Sequence, residues 1–148
     1  MNRRRLFLAA FALLAAAPAF SAPPSGGHGE TGSETPDERE VARSIDLGGL
    51  VFPVFSDDGK LQNYLFVNAR MKVGDGKDPW KYREKAHFIR DAVVRVSHRT
   101  SFSMKDDLTK LDEQLAAAEC LKAANEALGE KDAVVTMTFT QIASRISK

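Results

Sequence analysis

Hydrophobic and polar positions along the chain fall into five patterned stretches. The first is an apolar run, Leu50 to Phe55 ("LVFPVF"). It contains Pro53, which lacks a ladder donor and so predicts an edge strand. "SDDGK" follows, with Asp58-Gly59 as a hairpin-turn signal. "LQNYLFVNARMKV" then alternates with period two. Leu65, Val67, Ala69, Met71 and Val73 share one face, and Asn68, Arg70 and Lys72 share the other, as in a returning strand. From Tyr82 the apolar positions are Tyr82, Ala86, Ile89, Val93 and Val96, spaced four, three, four and three. That is the stripe of one amphipathic helix, with Asp78 as its cap and Pro79 at its first position. A second helix is predicted from a cap at Ser103 or Asp107. Leu108, Leu111, Leu115, Ala118, Leu121 and Leu128 form its face and Gly129 its stop. "AVVTMTFTQIASRI" closes the pattern as a strand. Val135, Met137 and Phe139 are expected to face the core, with Thr136, Thr138 and Thr140 facing away.

The order hairpin, two helices, strand predicts an α+β fold: an antiparallel sheet, made of the N-terminal hairpin and the C-terminal strand, with two main helices packed on one face. Ile89, Val93, Val96, Leu121, Leu128, Met137 and Phe139 are the expected core.

The N-terminus changes the picture of where this domain works. Arg3, Arg4 and Arg5 precede twelve apolar residues, Leu6 to Ala17, and Pro18 ends the run. Small residues follow, with Ala17-Pro18-Ala19 and Ala19-Phe20-Ser21 as cleavage motifs. This is the layout of an export signal over residues 1–22. A membrane-spanning helix needs about 20 apolar residues, so a cleaved signal is favoured over a short retained anchor. "RRLFL" resembles a twin-arginine signal, and the unfolded-chain export route fits equally. Residues 23–44 contain no large apolar residue before Val41 and read as a flexible linker. The folded domain is expected over residues 45–148, one domain within a chain of 148 residues.

Charge and special chemistry then narrow the function classes. Losing the three N-terminal arginines takes Lys plus Arg from 21 to 18, against 20 Asp plus Glu. A near-neutral chain offers no basic field for nucleic acid. Cys120 is the sole cysteine, so no disulfide forms within the chain; within a helical stretch it reads as a small packed thiol. His87 and His98 lie eleven residues apart, roughly 16 Å along a helix, too far to share a metal ion. His28 sits between glycines and reads as solvated. No HxxxH, HExxH or CxxC spacing and no Gly-rich phosphate loop occurs. The residues thus predict no catalytic, metal or cofactor site. The candidate partner contacts are the charges on the first helix: Arg90, Asp91 and Arg95. Asp91 and Arg95 stand four apart and can pair.

The series "IRDAVVRVSHRTSFSMKDDL", "LKAANEALG" and "VVTMTFTQIASRI" resembles the C-terminal domain of the flagellar basal-body-associated FliL family. The matching positions are Ile89, Arg90, Asp91, Ser97, Thr100, Leu108, Asn125, Leu128, Gly129, Val135, Phe139 and Thr140. The likeness runs over about residues 50–145. It implies a non-enzymatic periplasmic domain, similar to the stomatin-type fold, that assembles into rings around the motor's stator units at the inner membrane. Implied partners are further copies of itself and stator or basal-body proteins, with no cofactor. Family members usually retain a transmembrane helix, where this chain has a short signal-like run. The alternative function class is a periplasmic small-ligand-binding or adaptor module unrelated to the flagellum. Such a module needs an apolar pocket with convergent polar groups.

Overall fold

The computed structural model describes residues 35–146; the predicted export signal, His28 and the first part of the predicted linker lie outside them. The fold is α+β, with three antiparallel strands in the order β1-β2-β3 and four helices. The strands are β1 (Ser44–Phe55), β2 (Leu61–Val73) and β3 (Val134–Ile146). The helices are α1 (Pro36–Arg43), α2 (Pro79–Glu84), α3 (Ala86–Ser97) and α4 (Glu113–Leu128).

The hairpin forms as its pattern predicts. Phe55 pairs with Leu61, and the Ser56 N–H donates to the Lys60 carbonyl at 2.8 Å. Gly59 takes the left-handed conformation, φ +78°, that closes the loop. On β2 the predicted inner face, Leu65 to Val73 at alternate positions, is fully buried. β1 begins six residues before the apolar run that announced it. The polar and glycine residues at 44–49 hide its start, although Ile45 and Leu47 are buried there.

Three helix expectations are corrected. The stretch Pro36–Arg43, read as part of the linker, is helix α1. It buries no side chain and stands on its caps and ion pairs. The Thr35 hydroxyl accepts from the Glu38 N–H at 3.3 Å, and the Thr35 N–H donates to Glu38 Oε2 at 2.8 Å, a capping box. Lys72 pairs with Glu40 at 2.9 Å, tying α1 to β2.

The single helix expected from Asp78 onward is two. Asp78 caps α2, accepting from the Trp80 N–H at 2.9 Å, but Lys85 at φ −94°, ψ 5° breaks the helical path. The apolar stripe survives the break, with Tyr82, Ile89 and Val93 buried and Ala86 and Val96 half-buried.

The second predicted helix starts later than expected. Asp112, not Ser103 or Asp107, caps α4 by accepting from the Leu115 N–H at 3.0 Å. Its buried line is Ala116, Cys120 and Ala124, spaced four apart, with Leu121 and Leu128 half-buried beside it. Leu108 and Leu115, expected inside, are exposed, as is Ala118. Small residues on the buried line allow α4 to lie close against its neighbours, so the large leucines flank that contact. Gly129 ends α4 at φ +63°, as predicted.

β3 keeps the predicted alternation only in part. Met137 is buried, Phe139 is half-buried, and Thr136, Thr138 and Thr140 face out. Val135, however, is exposed and Val134 is buried in its place. A bulge explains the exchange: Val73 pairs with Val134 but Lys72 pairs with Thr136, leaving Val135 as the extra residue.

The two main helices pack on one face of the sheet, with α3 on the β1 side and α4 on the β3 side. Phe52 is fully buried at the centre, with edge-on aromatic contacts to Phe102 at 5.2 Å and Phe139 at 5.8 Å. The irregular segment between α3 and α4, which carries Phe102, is pinned to the sheet by two amides. Asn63 donates to the Leu108 carbonyl at 2.7 Å, and Gln141 donates to the Thr109 carbonyl at 2.7 Å while accepting from the Leu111 N–H at 3.1 Å.

Phe52→Ala is expected to cost about 3–5 kcal/mol, because it empties the centre of the aromatic group. Phe139→Ala, at a half-buried ring, is expected to cost clearly less. Urea unfolding of the two variants checks the order.

Candidate functional site

The polar side of α3 carries the three sequence-predicted contact residues, and the structure gives them different jobs. Arg90 reaches over to β1. Its guanidinium donates through Nη1 to the Leu47 carbonyl and through Nη2 to the Gly49 carbonyl, the latter at 3.0 Å. The acceptors flank a bulge, where Asp46 pairs with Arg70 and Gly48 pairs with Ala69, so that Leu47 is the extra residue. Gly48 stands at φ +73°, and its N–H donates to Asp46 Oδ1 at 2.6 Å. A Cβ on Gly48 would lie 3.0 Å from Arg90 Nη1, so glycine serves both the backbone conformation and the approach of the guanidinium. Arg90 is thus engaged within the domain.

Asp91 and Arg95 form the predicted ion pair across one helical turn and remain well exposed. Beside them a shallow groove of about 240 Å³ runs between α3 and α4, lined by Ala92, Val96, Ala123 and Ala127 with Arg95, Arg99 and Glu126 at its rim. It is open and too small to enclose a drug-sized ligand. The outward charges of this helix pair form a mixed surface, suited to setting the orientation of a protein neighbour.

A second polar cluster holds α2 to the turn between α4 and β3. The Tyr82 hydroxyl donates to Glu130 Oε2 at 2.7 Å, Lys81 donates to the same oxygen at 3.3 Å, and Lys77 donates to Oε1. These donors, Lys77 and Tyr82 foremost, hold the Glu130 carboxyl down at about 2. Burial, reinforced by that hydrogen bond, pushes the Tyr82 phenol up to about 12. Sequence reasoning missed this cluster. Glu130 lies 48 residues from Tyr82, and no local pattern announces the meeting.

The remaining special residues stand apart. Burial, with Glu119 nearby, pushes the Cys120 thiol up to about 12, which keeps it protonated and poorly nucleophilic. His87 and His98 are exposed on α3. Among the described residues no three His, Cys, Asp or Glu side chains gather as a metal ion would require, and no helix is long and apolar enough to cross a membrane.

Several residues that carry the family resemblance serve as fasteners. Asn125 donates from Nδ2 to the Val134 carbonyl and accepts at Oδ1 from the Val134 N–H, both at 2.9 Å, so its amide mimics a strand partner for the start of β3. The Ser97 hydroxyl is buried and donates to the Val94 carbonyl at 2.8 Å. Ile89 is in the core, Arg90 grips β1, and Gly129 turns the chain out of α4.

Comparison of the chain with protein-family models, with curated proteins and with solved structures finds no match.

Two outcomes test this account. Gly48→Ala is expected to cost about 1–2 kcal/mol from the left-handed backbone alone, with further loss as the Arg90 contact is pushed aside, read as a lowered urea midpoint. Glu130 has a depressed folded-state pKa, so its contribution is fully present above the ordinary carboxylate value near 4.5. That contribution is lost as pH falls from there toward 2. Glu130→Gln is therefore expected to lower stability at pH 7 and to flatten the decline between about pH 5 and 2, measured by thermal unfolding across that range.

Proposed function

We propose that this chain is a non-enzymatic periplasmic assembly protein of the kind the flagellar basal-body-associated FliL family supplies, joining copies of itself and motor components beside the inner membrane. The observation that carries the reading is the correspondence between motif and element. The Ile-Arg-Asp series runs from the end of the first turn of α3 into its second. The Asn and Gly of "LKAANEALG" fasten and end α4, and "VVTMTFT" is the edge strand β3. The segments come in the family's order, each on an element that gives its residues a job.

The outward chemistry supports binding rather than turnover. Lys77, Tyr82 and Glu130 satisfy one another, the sole cysteine is buried and protonated, and the grooves beside α3 are shallow. The contact surface in this reading is the α3–α4 side that presents Asp91, Arg95, Arg99 and Glu126, whereas Arg90 contributes by holding β1 in place. Charges at such a surface set register and orientation more than bulk affinity. Their internal pairing is weak, a few tenths of a kcal/mol for an exposed pair four residues apart, so they are free to exchange partners.

Deleting the gene in the native host is expected to impair swimming, and mass spectrometry of the exported protein is expected to show a chain lacking residues 1 to about 22. Within the domain, Asp91→Lys is expected to leave the circular dichroism spectrum unchanged and to reduce both motility and cross-linking of neighbouring copies. The charge-swapped double variant Asp91→Arg with Arg95→Asp keeps the internal pair but inverts the surface, and is expected to remain impaired. Normal swimming by both variants would remove this surface from the function, and normal swimming by the deletion strain would remove the flagellar reading itself.

A further inference from the structure

We infer that the groove between the free edge of β1 and helix α3 is a docking site for an extended, acidic segment of a partner protein, which joins the sheet as a fourth strand. The inference stands on the groove alone and does not require the flagellar reading.

The backbone supplies the first part of the argument. Arg90 approaches the Gly49 carbonyl from outside the sheet, so this carbonyl points away from β2. Between Gly48 and Val54 the register with β2 runs without a shift. In an antiparallel ladder, residues two apart point their N–H and C=O groups the same way. The Val51 N–H and C=O, and the Pro53 C=O, therefore face the free edge with that of Gly49. Pro53 fits there because its missing donor falls on the unpaired side. Arg90 occupies the Gly49 carbonyl, and among the described residues no side chain or loop reaches the polar groups of Val51. That leaves the Gly49 and Val51 N–H groups and the Val51 carbonyl, flanked by the Pro53 carbonyl, as the template onto which a strand can add.

The walls supply the second part. The groove, about 370 Å³, is mostly apolar and lies between the edge and one face of α3. Arg90, Val94 and His98 stand four apart on that face, with Val51, Pro53 and Tyr64 opposite. An added strand would turn one alternate set of side chains toward Val94 and the other toward Val51 and Pro53, which asks for apolar residues at successive positions. Arg90 stands at one end. Its guanidinium has five donors and gives two to β1, leaving three for a carboxylate. No Asp or Glu lines the groove, so the charge preference is for an acidic guest.

Two occupants from the chain itself fit poorly. The segment between Pro23 and Val41 is acidic but has no large apolar residue to fill the walls. The other free edge, β3, has no carboxylate between Val134 and Ile146, and its one charge, Arg145, would meet Arg90 as a like charge.

The test is selection of a randomised hexapeptide library on the full chain, with the Val94→Arg variant as the blocked control. Val94 is half-buried at the groove, and circular dichroism checks that the variant folds. His98→Glu, at an exposed position, is a second variant that places a repelling carboxylate in the groove while leaving the walls in place. Enriched peptides are expected to hold apolar residues at successive positions and to carry Asp or Glu at one end. Replacing that acid by its amide is expected to weaken binding about tenfold, the scale of one charge-assisted hydrogen bond. N-methylation of alternate peptide amides is expected to abolish binding, and the amide resonances of Gly49 and Val51 are expected to shift. No enrichment over the blocked control, binders without an acid, undiminished binding of N-methylated peptides, or shifts centred on β3 would each overturn the proposal.

Discussion

A three-stranded sheet has one strand paired on both sides and two that are not, and this constraint governs the molecule. Every unpaired N–H and C=O on β1 and β3 must find water, a side chain or another chain. The two edges meet the demand differently. β1 is bent by a bulge at Leu47, carries Pro53 on its outer side, and surrenders two carbonyls to Arg90. β3 is fixed at its start by the amide of Asn125, is bulged at Val135, and runs outward with only Arg145 charged along its length. The single helical layer follows from the same economy of strands. With α3 on the β1 side and α4 on the β3 side, the two helices meet over one sheet face. The helical layer can come close only because α4 turns Ala116, Cys120 and Ala124 inward.

What was legible in the sequence was whatever a period can express. The alternation of β2 gave its inner face without error, because one strand buried on one side leaves a clean two-residue signature. The stripe from Tyr82 to Val96 gave the right buried residues even though the helix carrying it breaks at Lys85, since a short break preserved which side faced inward. The errors arose where size or a single extra residue mattered more than period. Leucine was favoured over alanine as the core of α4, but close approach selected the small residues. Val135 was assigned by strict alternation, and one bulge reversed it. Helix α1 had a local signature, Thr35 followed three residues later by Glu38, which the polar composition around it concealed.

The candidate contacts divide in the same way. The ion pair of Asp91 and Arg95 was visible from spacing four on a helix. The grip of Arg90 on β1 was not, because it joins residues more than forty positions apart and needs the unusual backbone of Gly48 to make room. The Glu130 cluster was hidden for the same reason of distance along the chain.

These observations separate two uses of one helix. α3 sends Ile89 and Val93 into the core, turns Arg90, Val94 and His98 toward the edge of β1, and carries Asp91 and Arg95 on the outward pair that borders α4. Residues 90 and 91 are neighbours in sequence yet about 100° apart around the helix, so they serve different surfaces. A partner strand on the β1 side and a neighbouring copy on the α3–α4 side would therefore not compete for the same residues. They would still be connected, because Arg90 sits between the bulge that shapes β1 and the helix that bears the outward charges. A rigid helix gripping a strand edge through two hydrogen bonds would give the two proposed contacts a fixed geometry relative to each other. That fixed geometry is what holding neighbours in register requires.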